Sequence, residues 1–217
     1  MYKLFLLLIF GETTINNNLV HLLWIATEMI IGLVGRERVG KDTFADILVA
    51  KYGFKKHSMA DPIRDIAYML FPHWQSPQIN KDAVDLVSGI RPRDFMKWLG
   101  TDVFQLAFHQ KFPDVAIPDR SIWSSICAQR ITADSPDSNW VIPDIRFKHE
   151  AEQIAQLGGI FINLVNCASD DFTNSEQSSY DIPYILENYE YTKVVNNKVD
   201  GITGLETQIC DLLSYIK

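Results

Sequence analysis

Apolar residues change their spacing several times along this chain, and each change marks an element. Ile30-Ile-Gly-Leu-Val34 is a short unbroken apolar run, as expected of a central strand covered on both faces of a parallel sheet. After a glycine-bounded turn the period becomes helical. Phe44, Ile47, Leu48 and Tyr52 predict a helix over residues 41–52. Asp61-Pro62 reads as an N-cap followed by proline at the first helical position, and Ile63, Ile66, Ala67 and Leu70 extend that helix along one face. Residues 72–78 read as a loop. A further helix is predicted over residues 93–109, with Phe95, Met96, Leu99 and Val103 on its buried side. Loops follow at 114–119 and 132–139. Trp140-Val-Ile142 is a short strand ending at Pro143-Asp144, and residues 150–157 form a helix stopped by Gly158-Gly159. Residues 160–165 are another apolar strand, and 167–179 are polar and loop-like. Leu205, Ile209, Leu212 and Ile216 align on a closing helix over 203–216. Strands alternating with helices predict a three-layer α/β fold with a parallel sheet.

The first 28 residues stand apart from this pattern. Met1 to Phe10 carries one lysine and a short apolar run, which resembles a secretory signal but is too short to span a bilayer. No small-x-small cleavage site follows it. The favoured expectation is that Met29, directly before the first strand, is the natural start and that 1–28 are an upstream extension. An added amphipathic element and a true signal are the alternatives. The chain therefore divides into an extension (1–28) and one α/β domain (29–217).

Composition narrows the function. A 217-residue chain with 47% apolar residues and five Trp can bury a large core. Its net charge of -7 argues against a general nucleic-acid binder, while leaving room for a few cations around a small anion. Cys127, Cys167 and Cys210 are odd in number and lack metal-ligand spacing. Free thiols and the absence of an Asn-x-Ser/Thr sequon point to a reducing, cytoplasmic setting. His149-Glu150 is half of a zinc-protease motif, but Gln153 stands where the second histidine is required.

The principal chemical signal is Gly35-Arg-Glu-Arg-Val-Gly40-Lys41-Asp42-Thr43. Two glycines five apart let backbone N–H groups wrap a polyphosphate, and the helix opening there adds its N-terminal dipole. Lys41 is placed to reach the β- and γ-phosphates. Asp42 stands where Ser or Thr usually gives a hydroxyl to magnesium. Either Thr43 supplies that hydroxyl or Asp42 holds the ion through water. Asp144 and Arg146 follow a strand end, where parallel sheets place ligands. There an acid can order magnesium and an arginine can meet phosphate oxygens. Arg64, Arg91 and Arg93 are cations near helix starts, with solvated surface charge as the plain alternative for each. Trp123 offers a face to a base, although a lone Trp is more often core. One lysine, several arginines and acids suit phosphoryl transfer, which needs positioning and charge neutralisation.

Taken together, Ile30 to Thr43, Ala60-Asp-Pro-Ile-Arg64, Arg93 with Leu99-Gly-Thr-Asp102, Trp123, and Val141 to Glu150 (VIPDIRFKHE) resemble deoxynucleoside monophosphate kinases of large phages and related viral or bacterial proteins. The order and spacing of these blocks match over nearly all of 29–217, and Val194-Val-Asn196 before the last helix is similar too. The resemblance implies a P-loop kinase fold with an inserted helical acceptor-binding and lid region. It also implies ATP with Mg2+ as donor and a deoxynucleoside or nucleoside monophosphate as acceptor. By position, Gly35 and Arg38 to Thr43 would hold ATP, with Asp42 and Thr43 at the metal. Arg64 and Arg93 would hold the acceptor phosphate, and Thr101, Trp123, Asp144 and Arg146 would surround the nucleotide. Lys41, Arg93, Asp144 and Arg146 form the expected catalytic set. The implied partners are these small molecules, with no nucleic acid or membrane, in the cytoplasm (a host's, for a viral protein). A homodimer is left open. The chain departs from the pattern at Glu37, Lys97, Gln105, Asn166-Cys167 and Ser178 to Asp181, positions that bear on base specificity and the lid. The rival readings are another small-molecule P-loop kinase, of phosphomevalonate or dephospho-coenzyme A type, and a nucleotide-binding protein that has lost turnover.

Overall fold

The computed structural model describes residues 29–118, 120–134, 138–166, 181–196 and 201–216. Expectations for 1–28, for the loop at 167–179 and for Ser178 lie outside them. Five strands, β1 (Ile30–Gly35), β2 (Lys55–Lys56), β3 (Trp140–Ile142), β4 (Ile160–Asn166) and β5 (Tyr191–Asn196), form one sheet in the order β2-β3-β1-β4-β5. All its pairings are parallel. In register, Ile31 lies opposite Val141 on one side and Ile160 on the other.

Helix α1 (Lys41–Tyr52) follows β1 and α2 (Asp61–Leu70) follows β2. Helix α3 runs from Pro92–Lys97 through a wider π-helical stretch, Trp98–Ala107, into the turn Phe108–Lys111. The remaining helices are α4 (Ile122–Ala133), α5 (Lys148–Gln156), α6 (Ile182–Asn188) and α7 (Gly201–Tyr215).

The alternation of side chains along β1 divides the core in two. Ile31 and Leu33 face α1 and α7, meeting Phe44, Leu48, Leu205 and Ile209. Ile30 and Val34 face the opposite way, among Cys127 and Ile131 of α4, Ile154 of α5 and Ile185 of α6. A central strand covered on both faces has to be apolar throughout, which is why Ile30 to Val34 carries no polar side chain. Three layers result, as the sequence predicts.

The expected elements needed several corrections. Ala60, not Asp61, is the N-cap of α2, because the Asp61 carboxylate turns back to the Ser58 N–H at 2.7 Å. Residues 72–78 are not only a loop. Pro72–Gln75 form a 3-10 turn whose Trp74 is wholly buried, stacked on Phe71 with 4.1 Å between ring centroids. On α3 only Leu99 of the four expected apolar residues is fully buried; Phe95, Met96 and Val103 are half-buried. Helix α4 extends into the span expected to start the loop at 132, and α5 begins at Lys148, two residues early. Strands β2 and β5 and helix α6 are additional to the elements predicted from periodicity. Cys127 and Cys210 are free thiols, as expected. No helix among the described residues is long and apolar enough to cross a membrane.

Candidate functional site

β1 and β3 are neighbours in the sheet, but α1 packs on one face and α5 on the other. The chain parts at their carboxyl ends, and such a crevice is where an open parallel sheet takes its ligand. The loop Gly35 to Gly40 occupies the β1 side, and Asp144 to Arg146 the β3 side.

The loop's backbone requires its glycines. Gly35 has φ +140° and a Cβ there would lie 2.4 Å from the Leu164 carbonyl oxygen. Gly40 has φ +103°, with Asn196 Nδ2 filling the same space at 2.4 Å. Arg38 also sits at positive φ, 60°, which is uncommon outside glycine and holds the loop in a tight arch. Asn196 at the end of β5 donates to the Val39 carbonyl at 2.6 Å and pins the arch to the sheet. Gly40 caps α1 with no side chain, so the helix start is left to an external acceptor.

Lys41 lies buried against this arch. Its Nζ donates to the carbonyls of Gly35 at 2.7 Å and Arg36 at 2.6 Å. Burial, then the positive charge of Arg146, brings its pKa down to about 8, against the opposing pull of Asp42, Asp144 and Glu37. These residues therefore share one electrostatic neighbourhood. Arg146 Nη1 stands 3.8 Å from Glu37 Oε1. Asp42 is highly exposed and turns to Lys56 at 3.1 Å, while Thr43 is exposed beside it.

Asp144 is held by the turn after β2. Its Oδ1 accepts the Met59 N–H at 2.9 Å, and its Oδ2 accepts the Ser58 hydroxyl. Ser58 Oγ in turn accepts Arg64 Nη2 at 3.0 Å. Arg64 also holds Asp61, which takes His57 Nδ1 at 3.1 Å and the Ser58 N–H. Burial works against ionisation of Asp61, but the hydrogen bonds of His57 and Ser58 and the charge of Arg64 bring its pKa down to about 2. Behind the crevice, Glu150 is buried and caps α5 by accepting the Arg146 and Phe147 N–H groups at 2.7 and 3.0 Å. Burial and the nearby Asp144 nevertheless push its carboxyl up to about 8.

The inserted region contributes Arg93, which grips Asp82 through two nitrogens on the exposed surface. That grip, more than any other influence, lowers the Asp82 pKa, and Arg91 and Arg38 add to it. Glu37 likewise helps raise the pKa of Arg93. The pair thus shares an electrostatic neighbourhood with Glu37 and Arg38 of the Gly35–Gly40 loop. Asp85 ties down the intervening segment by accepting Ser88 Oγ at 2.6 Å, His73 Nε2 at 2.8 Å and Trp74 Nε1 at 3.1 Å.

Of the residues singled out from sequence, Gly35, Gly40, Lys41, Asp42, Asp144 and Arg146 come together, and Arg64 joins them through Ser58. Arg93 and Arg64 hold separate carboxylates. Thr101 is half-buried next to Gly100, whose Cα faces Ile63 of α2. Trp123 is buried, donates its indole N–H to the Gly100 carbonyl at 2.9 Å, and packs edge-on to Phe104. That is the core placement usual for a lone Trp. Ser58 and Asp82 carry connections of the site without belonging to any motif read from the sequence, while Asp61 and Glu150 lie within the blocks that carry the resemblance. Asn196 was marked only as part of the resemblance.

Residues 29–91 match the sequence profile of the family described as Deoxynucleotide monophosphate kinase. A protein of Acanthamoeba polyphaga mimivirus, named provisionally as a deoxynucleotide monophosphate kinase, is 29% identical over 166 residues, 71% of this chain and 86% of its own length. Among solved structures, dephospho-CoA kinase from Campylobacter jejuni overlaps with a TM-score of 0.45 and 20% identity, covering 87% of this chain and 98% of its own. An unliganded sugar kinase from Janibacter sp. HTCC2649 does so with a TM-score of 0.43 and 14% identity, covering 87% and 95%.

Proposed function

We propose that this chain, a relative of the deoxynucleotide monophosphate kinases, transfers the γ-phosphoryl group of ATP to the phosphate of a deoxynucleoside monophosphate. The observation that carries this reading is the crevice itself. A buried lysine on a glycine arch shares its electrostatic neighbourhood with an acid, Asp144, that is one hydroxyl away from Arg64. A donor-phosphate cradle and a cation for an acceptor phosphate are thereby built into one site.

In the reaction, a phosphate oxygen of the acceptor bonds to the γ-phosphorus as the bond to the β,γ-bridging oxygen breaks, leaving ADP. Lys41 exchanges its two carbonyl partners for the β- and γ-phosphate oxygens, and its charge offsets that developing on the bridge. Backbone N–H groups at the start of α1 receive the same phosphates. Arg64 orients the acceptor phosphate, Arg93 approaches it from the inserted region, and Arg146 covers the transferred group. Thr101 borders the nucleotide side, and the buried Trp123 backs it through its hydrogen bond to the Gly100 carbonyl.

The residues present fit a magnesium ion held mainly by phosphates and water. No group of three or more His, Cys, Asp or Glu converges among the described residues, Asp42 is drawn to Lys56, and Asp144 has protein donors on both oxygens. Thr43 and Asp144, with Asp42 through water, would hold it. When bound, such an ion would neutralise charge on the transferring phosphates. This reading gives the protein two small-molecule partners, no nucleic acid or membrane partner, and a cytoplasmic setting.

The test is coupled ADP release with ATP and each of the common ribo- and deoxyribonucleoside monophosphates. The expected outcome is turnover with one or more deoxynucleotides. Turnover confined to dephospho-coenzyme A or phosphomevalonate would transfer the chain to another kinase class. ATP binding by calorimetry without ADP from any acceptor would make it a binding protein.

A further inference from the structure

Ser58 is buried, and its hydroxyl is fully used. A serine hydroxyl offers one donor and two acceptor sites. Here the O–H donates to Asp144 Oδ2, while the oxygen accepts Arg64 Nη2 at 3.0 Å and the Ala60 N–H at 3.2 Å. Two of those partners come from opposite halves of the site. Asp144 closes β3 beside the phosphate arch, whereas Arg64 belongs to the first turns of α2. They are 80 positions apart in sequence, and this one oxygen links their side chains.

Backbone pairing fixes where that oxygen sits. The His57 N–H donates to the Val141 carbonyl at 3.1 Å and Lys55 donates to Asn139 at 2.7 Å, so β2 is locked beside β3 just before Ser58. The Met59 N–H on Asp144 Oδ1 and the Asp61 carboxylate on the Ser58 N–H then hold the turn from both sides. The hydroxyl therefore has a defined position and no freedom to choose other partners. Arg64 is left with donors to spare, since a guanidinium has five N–H groups and, among the described residues, two are engaged, by Asp61 and Ser58. The remaining ones are available to an acceptor phosphate.

We propose that Ser58 is a positioning residue for phosphoryl transfer, holding the acceptor-phosphate arginine Arg64 and the acid Asp144 in fixed mutual register. This rests on the assignment of ATP to the loop and of the acceptor phosphate to Arg64. Ser58 touches neither substrate. It aims Arg64 from one lone pair and fixes the Asp144 carboxylate with its proton. Losing it disturbs acceptor binding through Arg64 and turnover through Asp144, and leaves ATP on its backbone cradle.

The experiment is steady-state kinetics of Ser58→Ala, Ser58→Thr, Arg64→Ala and the Ser58→Ala/Arg64→Ala pair. Acceptors are dAMP, dCMP, dGMP and dTMP with ATP, and melting temperatures are recorded alongside. Ser58→Ala is expected to raise the acceptor KM and lower kcat, each about tenfold, as loss of a hydrogen bond to a charged group does, with the KM for ATP within about twofold of wild type. Ser58→Thr, which keeps the hydroxyl, should restore most of both. On the Arg64→Ala background the KM effect of Ser58→Ala should vanish while the kcat effect persists, because only the arm through Arg64 has been removed. A KM effect of the same size on both backgrounds, or an alanine variant with wild-type kinetics, would overturn the proposal. If Ser58→Ala does not fold, Ser58→Cys, with its weaker donor, should show the same split at smaller size. A wild-type chain that turns over none of the four acceptors would sink the kinase reading, and this inference with it. An active wild type with indifferent Ser58 variants sinks the inference alone.

Discussion

The two halves of the proposed site, one read for the donor and one for the acceptor, are built from different materials. The donor half, Gly35 to Lys41, is made of backbone, with its shape fixed by glycines at positive φ, by Asn196 and by a buried lysine bonded to carbonyls. The acceptor half is made of long side chains in ion pairs, Arg64 on Asp61 and Arg93 on Asp82, and the second pair lies fully on the surface. Backbone held by the sheet cannot rearrange cheaply, so the donor half is ready before ligand arrives. Surface ion pairs are worth little and exchange partners easily. In the proposed acceptor half, Asp61 and Asp82 hold the two arginines that a substrate phosphate would have to take over. On the proposed reading, the difference suits an enzyme that binds one constant donor and must discriminate among acceptors.

The largest expected effect comes from breaking the donor half. Lys41→Ala should lower kcat about 10²–10³-fold, the loss typical of removing one transition-state donor, with the melting temperature close to wild type. Rapid-quench measurement of ADP formation checks this, and near-normal turnover would undo the loop's assignment. Next come the two arginines. Arg64→Ala and Arg93→Ala should each weaken acceptor binding by about 1.5–3 kcal/mol while hardly altering the KM for ATP. Arg93→Ala should cost almost no stability, because its partner Asp82 is exposed. If both variants raised the KM for ATP and spared that for the monophosphate, the division into halves would be wrong.

A pH series sharpens the comparison further. Lys41 is charged below its pKa of about 8 and neutral above it, so ATP affinity should decline as pH rises past about 8. Proton uptake on binding, read by calorimetry in buffers of different ionisation enthalpy, should accompany binding above that pH. Lys41→Arg, always charged, should bind ATP with a flat profile across the same range. The smallest effect concerns Glu37, which shares Arg146 at 3.8 Å across a half-exposed gap. Glu37→Gln should tighten ATP binding by about 0.2–1 kcal/mol, the scale of an exposed pair, and the gain should shrink with added salt.

How far the sequence could be read depended on how local each feature was. The strand, glycine turn and helix over residues 30–52 were legible because their signal is contiguous: an apolar run, two spaced glycines, a lysine and the stripe of Phe44, Ile47 and Leu48. The closing helix was legible for the same reason. Strand β2 was not, since two lysines carry no apolar pattern; it exists because Lys55 and His57 pair with Asn139 and Val141 across the sheet. Strand β5 lies at the other edge with only Val194 buried, so its alternation is faint. Trp74 sits among Pro, Ser and Gln that read as loop, yet it is buried by aromatic partners on α2's end and on α3.

By itself the sequence determined the layered α/β fold, the arch from Gly35 to Gly40 and the helix it opens, the acid and arginine beyond β3, and through resemblance the chemistry proposed here. These follow from periodicity and spacing, which record the constraints that neighbouring residues place on one another. Only the tertiary structure decided that Ser58 joins Asp144 to Arg64, that Asn196 pins the arch, and that Arg93 is held by Asp82 near the loop. Each of those contacts is set by strand order and helix packing, and a hydrogen bond between residues far apart in the chain leaves no periodic trace in either segment.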